Sequence, residues 1–215
     1  MNIHLNRIIK YLVLSDLIFY TGWGLISPIF AIFILQNISG GTALVVGLSS
    51  GIHLVTRSLL RIPFGVYADK SQKYAFKFMF FGLFVSALVP LGFIYSRAPM
   101  HIYLLQALLG VMLAMSTAGW TSIYSRHLDK GKESTEWGVD AVAVGIGPGI
   151  AGAVGGLAVT IFSFNLVFMA VSIIGLAGVV ALLFVRKDVI KSKPLVEGHL
   201  FLPREARQLK KARFH

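Results

Sequence analysis

The sequence predicts an all-α membrane protein with six transmembrane helices, and three observations support this fold class. The 215 residues are 56% hydrophobic and only 13% charged, with a mean hydropathy of +0.76, well above a soluble domain. Six apolar blocks are long enough to cross a bilayer, which takes about 20 residues each. Lys and Arg residues fall in short stretches between these blocks, as expected when positive charge stays on one membrane face.

The apolar blocks and the basic stretches together set the predicted topology. The spans cover residues 9–35, 43–64, 74–95, 102–124, 137–162 and 164–184. Basic residues precede the first span and follow the second, fourth and sixth, so these segments and both termini are assigned to the cytoplasm. We therefore expect a multi-pass protein of the cell membrane, with a transmembrane bundle over 1–186 and a basic cytoplasmic tail over 187–215.

Composition also excludes several classes of function. The formal net charge of +11 does not indicate a nucleic-acid partner, because the basic residues fit positive-inside topology. Without cysteine, the chain has neither disulfides nor thiolate metal sites. No histidine or carboxylate pair has metal-ligand spacing, and the serines lack a nucleophile elbow. We expect no enzyme activity, no metal and no cofactor.

In the tail, Leu202, Ala206 and Leu209 leave two alternatives open, an interfacial helix on lipid or a disordered segment.

The first three spans differ in their polar content. Gly22, Gly24 and Pro28 predict a bend in the first span. In the second, Arg57 and Arg61 lie four residues apart and share a helical face with a histidine one turn earlier. The third is rich in phenylalanine and nearly free of polar groups, so we expect it to face lipid.

The fourth and fifth spans carry the remaining polar and small residues. Gln106, Thr117 and Thr121 lie at near-helical spacing in the fourth span and predict a stripe that faces protein or water. The fifth span is glycine-rich. Its Gly147, Pro148 and Gly152 are expected to permit close helix contact and bending. The sixth span is again apolar.

Charged residues inside the bilayer are the strongest candidates for function, because each is costly unless it is paired or hydrated. Asp16 in the first span and Arg57 in the second fall at similar depth, so they could pair, with Asp140 as a shallower third member. Two alternatives remain open. These residues line a cavity that binds a polar substrate or exchanges a proton, or they form a structural ion pair.

The connection between the second and third spans combines helix-ending residues with charge. Pro63 and Gly65 are expected to close the second span, and Asp69 to cap the helix that begins near residue 74. The pattern Gly65-x-x-x-Asp69-Lys70-x-x-Lys73 resembles the loop between the second and third helices of major facilitator superfamily transporters. Gln72 departs from that pattern, since the family usually has glycine there.

The resemblance implies roles for several of these residues. In such transporters the acid of this loop contacts an arginine at the end of the fourth span and holds a cytoplasmic gate. Asp69 and Arg126 match those positions, with Glu136 as a further partner and ordinary solvated charges as the alternative. Span five partly resembles the glycine-proline pattern of proton-coupled antiporters through Gly147 and Pro148, with a close-packed helix interface as the alternative.

The resemblance covers only the amino-terminal six-helix half of a family that normally has twelve helices. It implies two inverted three-helix repeats and secondary active transport of a small solute by alternating access. Because one bundle cannot provide alternating access alone, we expect a homodimer in the lipid bilayer, or assembly with a second six-helix half. The alternative is a non-transporting scaffold or accessory subunit, or the remnant of a longer transporter.

Overall fold

The computed structural model describes residues 4–191, and its regular structure there is helical. Six of the helices within this range are long and apolar enough to cross a membrane. The helices, in order, are α1 (Arg7–Ile26), α2 (Phe30–Asn37), α3 (Ala43–Ala68), α4 (Gln72–Ile94), α5 (Pro99–His127), α6 (Glu133–Ile161), α7 (Phe164–Leu183) and α8 (Arg186–Lys191). The six predicted spans are thus confirmed, with boundaries that shift by a few residues.

The first predicted span is two helices rather than one. The break between α1 and α2 lies just after Ile26 and includes Pro28. Proline cannot donate the backbone hydrogen bond that a continuous helix needs at this point. The predicted bend is therefore a complete interruption.

The end of the second span differs from the prediction. α3 runs through Pro63 and Gly65 and ends at Ala68. Inside a membrane, leaving a helix would expose backbone groups to lipid, which costs more than tolerating one proline. Asp69 is the C-cap of α3, whereas the Ser71 hydroxyl caps α4 by accepting the Lys73 backbone N–H at 3.1 Å. The prediction that Asp69 caps the next helix was wrong.

The helix contacts follow a two-fold pattern. α1 to α4 form one triplet of spans and α5 to α7 the other. In the first triplet's relation to the second, α3 and α4 both pack on α5. In the reverse relation, α6 and α7 both pack on α1, and α4 and α7 also pack on each other. Since three crossings reverse the chain direction, the second triplet is inverted relative to the first. The predicted pair of inverted repeats is confirmed.

The expectation that the third span mainly faces lipid was wrong. In α4, 44% of the membrane-length window is buried, and in α7 50%, whereas only 11% of α3 and 17% of α6 are buried. α1, α4, α5 and α7 pack against one another, and α3 and α6 lie at the sides of the bundle, where each packs mainly on one helix. Hydropathy alone does not separate these cases, because phenylalanine suits lipid and a helix interface equally.

Aromatic packing closes the end of the bundle away from Asp69. The ring of Phe33 in α2 lies edge-on to Phe168 in α7, with centroids 4.8 Å apart. Phe93, near the end of α4, lies 5.7 Å from Phe168 and 6.4 Å from Phe33. Edge-to-face and tilted arrangements of this kind are favourable for aromatic rings. Here they join both triplets.

The beginning of the predicted tail packs on the bundle. Val189 of α8 is fully buried, and Asp188 pairs with Arg7 at 3.4 Å between its Oδ2 and the Arg7 Nη1. The rest of the predicted tail, including the alternatives for Leu202, Ala206 and Leu209, lies outside the described residues.

Candidate functional site

A polar cavity lies among the transmembrane helices and contains most of the predicted binding residues. Its volume is about 390 Å³. Polar and aromatic side chains from α1, α3, α5 and α6 line it: Ser15, Asp16, Tyr20, Arg61, Ser116, Thr117, Trp120, Thr121, Trp137 and Asp140. Met79, Leu83, Val144 and Leu182 supply apolar parts of the wall. A lining with charges of both signs beside apolar surface is typical of a site for a small polar solute.

Two carboxylates form the acidic wall of this cavity, on helices that pack together. Asp16 of α1 and Asp140 of α6 are each 9% exposed. The Oδ1 atom of Asp140 is buried without a hydrogen-bond partner. The expected ion pair between Asp16 and Arg57 is absent, because neither ion pair within residues 4–191 includes them. Arg57 lies on α3, which packs on α5, while Asp16 faces Asp140 across the α1–α6 contact.

Two arginines of α3 are each held by a threonine of α5, and one of them, Arg61, lines the cavity. The Nη2 group of Arg57 donates to the Thr117 hydroxyl at 3.4 Å, and that of Arg61 to the Thr121 hydroxyl, also at 3.4 Å. The two arginines are four residues apart on α3, and the two threonines are four residues apart on α5. The two contacts therefore lie one helical turn apart along the α3–α5 interface. A guanidinium has five N–H donors, and Thr121 uses a single one from Arg61. Most of the Arg61 donors remain for a ligand.

A second cavity, of about 480 Å³, adjoins the first. Tyr20 and Val144 line both cavities. Gln106, one of the predicted binding residues, lies here with His53 of α3. The Nδ1 atom of His53 is buried and has no partner. The polar stripe predicted on the fourth span thus faces protein, as expected, but is divided between two cavities.

The predicted packing residues of the fifth span lie against α1. A Cβ atom on Gly147 would overlap the Thr21 hydroxyl oxygen, and one on Gly24 of α1 would lie 2.5 Å from the Pro148 Cα atom. Gly152 is looser, with a Cβ atom 3.7 Å from the Gly24 carbonyl oxygen. These contacts support the close-packed interface for the glycines. The antiporter alternative stays a prediction.

The charged end of the bundle joins α3 to α5 through Asp69. Arg126 donates from Nη2 to the Asp69 carbonyl oxygen at 2.7 Å and to its Oδ1 at 3.4 Å. Ser122 donates to the same Oδ1 at 2.9 Å. The expected contact between Asp69 and Arg126 is therefore present, while its gating role stays a prediction.

The other residues predicted for the gate are less engaged. Lys70 lies over the Tyr67 ring, with its Nζ 4.3 Å from the centroid, a cation–π contact. The Lys73 side chain is exposed. Gly65 has open space where a Cβ would be. None of the three contacts Arg126 in the manner of Asp69.

Glu136 is not a third partner of Asp69 and Arg126. Its side chain is fully buried, and its Oε2 accepts the Asp129 backbone N–H at 3.0 Å. Tyr124 donates to the Glu136 carbonyl oxygen at 2.5 Å. Glu136 lies on the first turn of α6, where its side chain reaches the backbone of the preceding loop and not Asp69 or Arg126.

An aromatic cluster beside the cavity was not anticipated from the sequence. Trp120 stacks on Tyr124 with centroids 4.3 Å apart, and Trp137 lies 5.8 Å from Trp120 and 4.8 Å from Tyr124. The indole Nε1 of Trp120 is buried without a partner. The four-residue spacing of Trp120 and Tyr124 indicated a shared helix face, but Trp137 is brought in only by α6.

These features define the class of protein, which is a multi-pass membrane protein with a polar cavity between two inverted helix triplets. The model of the Major Facilitator Superfamily matches residues 12–214. The chain belongs to this superfamily, and its six spans fit the amino-terminal half. No curated protein matches it.

Solved transporters share the fold at low sequence identity. The structure of a peptide transporter POT in complex with sulfate matches with a TM-score of 0.70 and 14% identity, covering 97% of this chain and 43% of that one. The structure of the POT family transporter PepTSo matches with a TM-score of 0.69 and 11% identity, covering 91% and 40%. The chain thus spans less than half the length of these transporters.

Proposed function

We propose that this chain is one half of a secondary active transporter that moves a small solute by alternating access. The second half is another copy of the chain, or a separate six-helix chain. The observation that carries the proposal is the polar cavity flanked by the two least buried spans, α3 and α6. In a twelve-helix transporter two bundles rock about a central site, and a second bundle on these two helices would enclose this cavity.

The exposed surfaces of α3 and α6 are suited to a protein partner. Added Cβ atoms at Gly47 and Gly51 of α3 would meet nothing within 4 Å, and the same holds at Gly145 and Gly149 of α6. Each pair has the small-x-x-x-small spacing that lets helices approach closely in membranes. Both side helices therefore carry an unoccupied packing groove. If the bundle worked alone, these exposed glycine pairs on α3 and α6 would have no packing partner.

Uptake into proteoliposomes tests the transport function directly. The purified chain, reconstituted without other proteins, is expected to accumulate a solute under an imposed pH or sodium gradient, and not in empty liposomes. Accumulation would support a homodimer. Lack of uptake of any solute in a broad panel, under every gradient, would contradict transport by this chain as a homodimer.

Cross-linking of introduced cysteines tests the assembly, since the chain contains no native cysteine. Leu59 of α3 and Val142 of α6 are exposed and lie at similar distances from the helix ends at Ala68 and Glu133. The variant Leu59→Cys with Val142→Cys is expected to give cross-linked dimers in membranes. A matched control pairs Leu59→Cys with Ile173→Cys, because Leu59 and Ile173 are each 68% exposed. Equal cross-linking in both variants would contradict pairing through α3 and α6.

The alternative is a non-transporting scaffold or accessory subunit, or the remnant of a longer transporter. A chain that remains monomeric in the cross-linking experiment and shows no uptake would favour it. A chain that pairs but shows no uptake alone would instead favour assembly with a separate half.

A further inference from the structure

Charges of opposite sign lie on different walls of the cavity. Asp16 and Asp140 belong to α1 and α6, which pack on each other, while Arg57 and Arg61 belong to α3, which packs on α5. Four charged groups within one bundle could have neutralised one another. Instead, none of the four takes part in an ion pair within residues 4–191.

The groups on both walls have free capacity for a ligand. The Oδ1 atom of Asp140 and the Nε1 of Trp120 are buried without partners, and both residues are at least nine-tenths buried and line the cavity. Arg61 lines the same cavity and donates to the Thr121 hydroxyl at 3.4 Å, which uses one of its N–H groups. Unpaired polar groups away from water are costly, and this applies to Asp140 and Trp120. A ligand that also uses the free N–H groups of Arg61 carries a negative group beside its positive one.

We infer that the cavity binds a small zwitterion, with its ammonium group at Asp16 and Asp140 and its carboxylate at Arg61. This inference rests on the proposed function and names the substrate class of the same site. The forked guanidinium group matches the two oxygens of a carboxylate. Met79, Leu83 and Val144 leave an apolar part of the wall for a hydrocarbon side chain. An α-amino acid or a short peptide has this combination.

Ligands with one sign of charge fit the cavity less well. An anion would pair with Arg61 but leave the buried carboxylates of Asp16 and Asp140 without a counter-charge, which is costly. A cation would pair with these carboxylates but gain nothing from Arg61, whose side chain is exposed. A zwitterion satisfies both walls without adding net charge to the membrane interior.

Leucine and three of its derivatives separate zwitterion, cation and anion binding, because they differ in charge at nearly constant shape. L-leucine carries both charges, leucinamide only the ammonium, N-acetyl-leucine only the carboxylate, and N-acetyl-leucinamide neither. Dialanine adds a zwitterion with a longer separation of charge. Binding is measured for the full chain in lipid nanodiscs by calorimetry and by the shift in thermal unfolding. We expect leucine or dialanine to bind at least about tenfold more tightly than every derivative that lacks a charge.

Variants on each wall should change charge preference and not only affinity. Arg61→Gln is expected to remove the penalty for losing the carboxylate, so leucinamide then binds as tightly as leucine. Asp140→Asn is expected to remove the penalty for losing the ammonium group, so N-acetyl-leucine then binds as tightly as leucine. Lys130→Gln, in the exposed loop before α6, is the control and should leave the ranking unchanged. A merely structural role of Arg61 or Asp140 would lower all affinities together and would overturn the inference.

The outcomes of this test and of the uptake test are distinguishable. Zwitterion binding without gradient-driven uptake supports the site and contradicts transport by this chain as a homodimer. Uptake of a cation, an anion or a sugar without zwitterion binding leaves transport intact and overturns the inference. Lack of binding by all five probes also overturns it.

Discussion

Asp69 and Arg126 are the residues that the sequence pattern and the structure connect most directly. Arg126 is 20% exposed at its side chain and Asp69 67%, so water screens their ion pair. Exposed pairs contribute about 0–1 kcal/mol. The additional bond from Arg126 to the Asp69 carbonyl oxygen ties the end of α3 to α5 even without the carboxylate. The pair is thus better suited to hold one conformation than to stabilise the fold.

Charge reversal at Asp69 tests this role. We expect Asp69→Arg to lower the free energy of unfolding by no more than about 1 kcal/mol but to reduce uptake strongly, because two like charges would oppose closure of this end. The double variant Asp69→Arg with Arg126→Asp should recover part of the uptake. Uptake and thermal unfolding are measured on the same preparations, and a double variant no better than the single ones would contradict the gate.

Asp16 is the residue at which proton exchange is predicted. Its carboxylate lines the cavity and lacks an arginine partner, so protonation would change the charge that a substrate meets. We expect Asp16→Asn to abolish the dependence of uptake on an imposed pH gradient. Uptake is measured with and without that gradient in wild type and variant. Coupling that persists in the variant would remove Asp16 as the proton carrier.

At the scale of helices, the α1–α6 interface depends on glycine. A Cβ atom on Gly155 would overlap the Leu25 carbonyl oxygen of α1, whereas one on the adjacent Gly156 would meet nothing within 4 Å. The two glycines therefore differ in role although they are neighbours in the sequence. One permits contact between two backbones, and the other lies on the open side of α6.

Alanine substitution should separate the two glycines. Gly155→Ala is expected to destabilise the bundle by about 1–3 kcal/mol, the usual cost of overpacking, because backbone atoms cannot move aside cheaply. Gly156→Ala should be neutral or slightly stabilising, by about 0.5–1 kcal/mol. Thermal unfolding in detergent measures both. Similar shifts for the two variants would contradict the packing of α6 on α1.

At the scale of the whole molecule, the two side helices leave the bundle incomplete. α3 and α6 expose glycine pairs that nothing within residues 4–191 covers. Surface of this kind favours a second bundle, whereas scattered large apolar residues such as Ile173 suit lipid.

Larger side chains in the open grooves should disrupt assembly without unfolding the bundle. We expect Gly51→Leu and Gly149→Leu to reduce the dimer fraction severalfold, since each fills a groove that has space in the monomer. Ala177→Leu, on the exposed side of α7, is the control and should have no effect. The dimer fraction is measured by cross-linking or by light scattering in detergent. Destabilised monomers would show instead that these grooves are internal.

The sequence by itself determined the membrane spans and the polar stripe on α5, because hydrophobic length and helical period are local properties. The contact between Asp69 and Arg126 was expected only from the resemblance to a transporter family, since these residues are far apart in the chain. Gly147 and Pro148 were recognised as packing residues from their type. Only the tertiary structure decided which helices are central and which are open. It also decided that Asp16 and Arg57 belong to different helix contacts, α1 with α6 and α3 with α5, and that Glu136 bonds to a loop. Side-chain pairing depends on how the helices are arranged around one another. The depth of a residue in the membrane, which can be counted from the sequence, does not specify that arrangement.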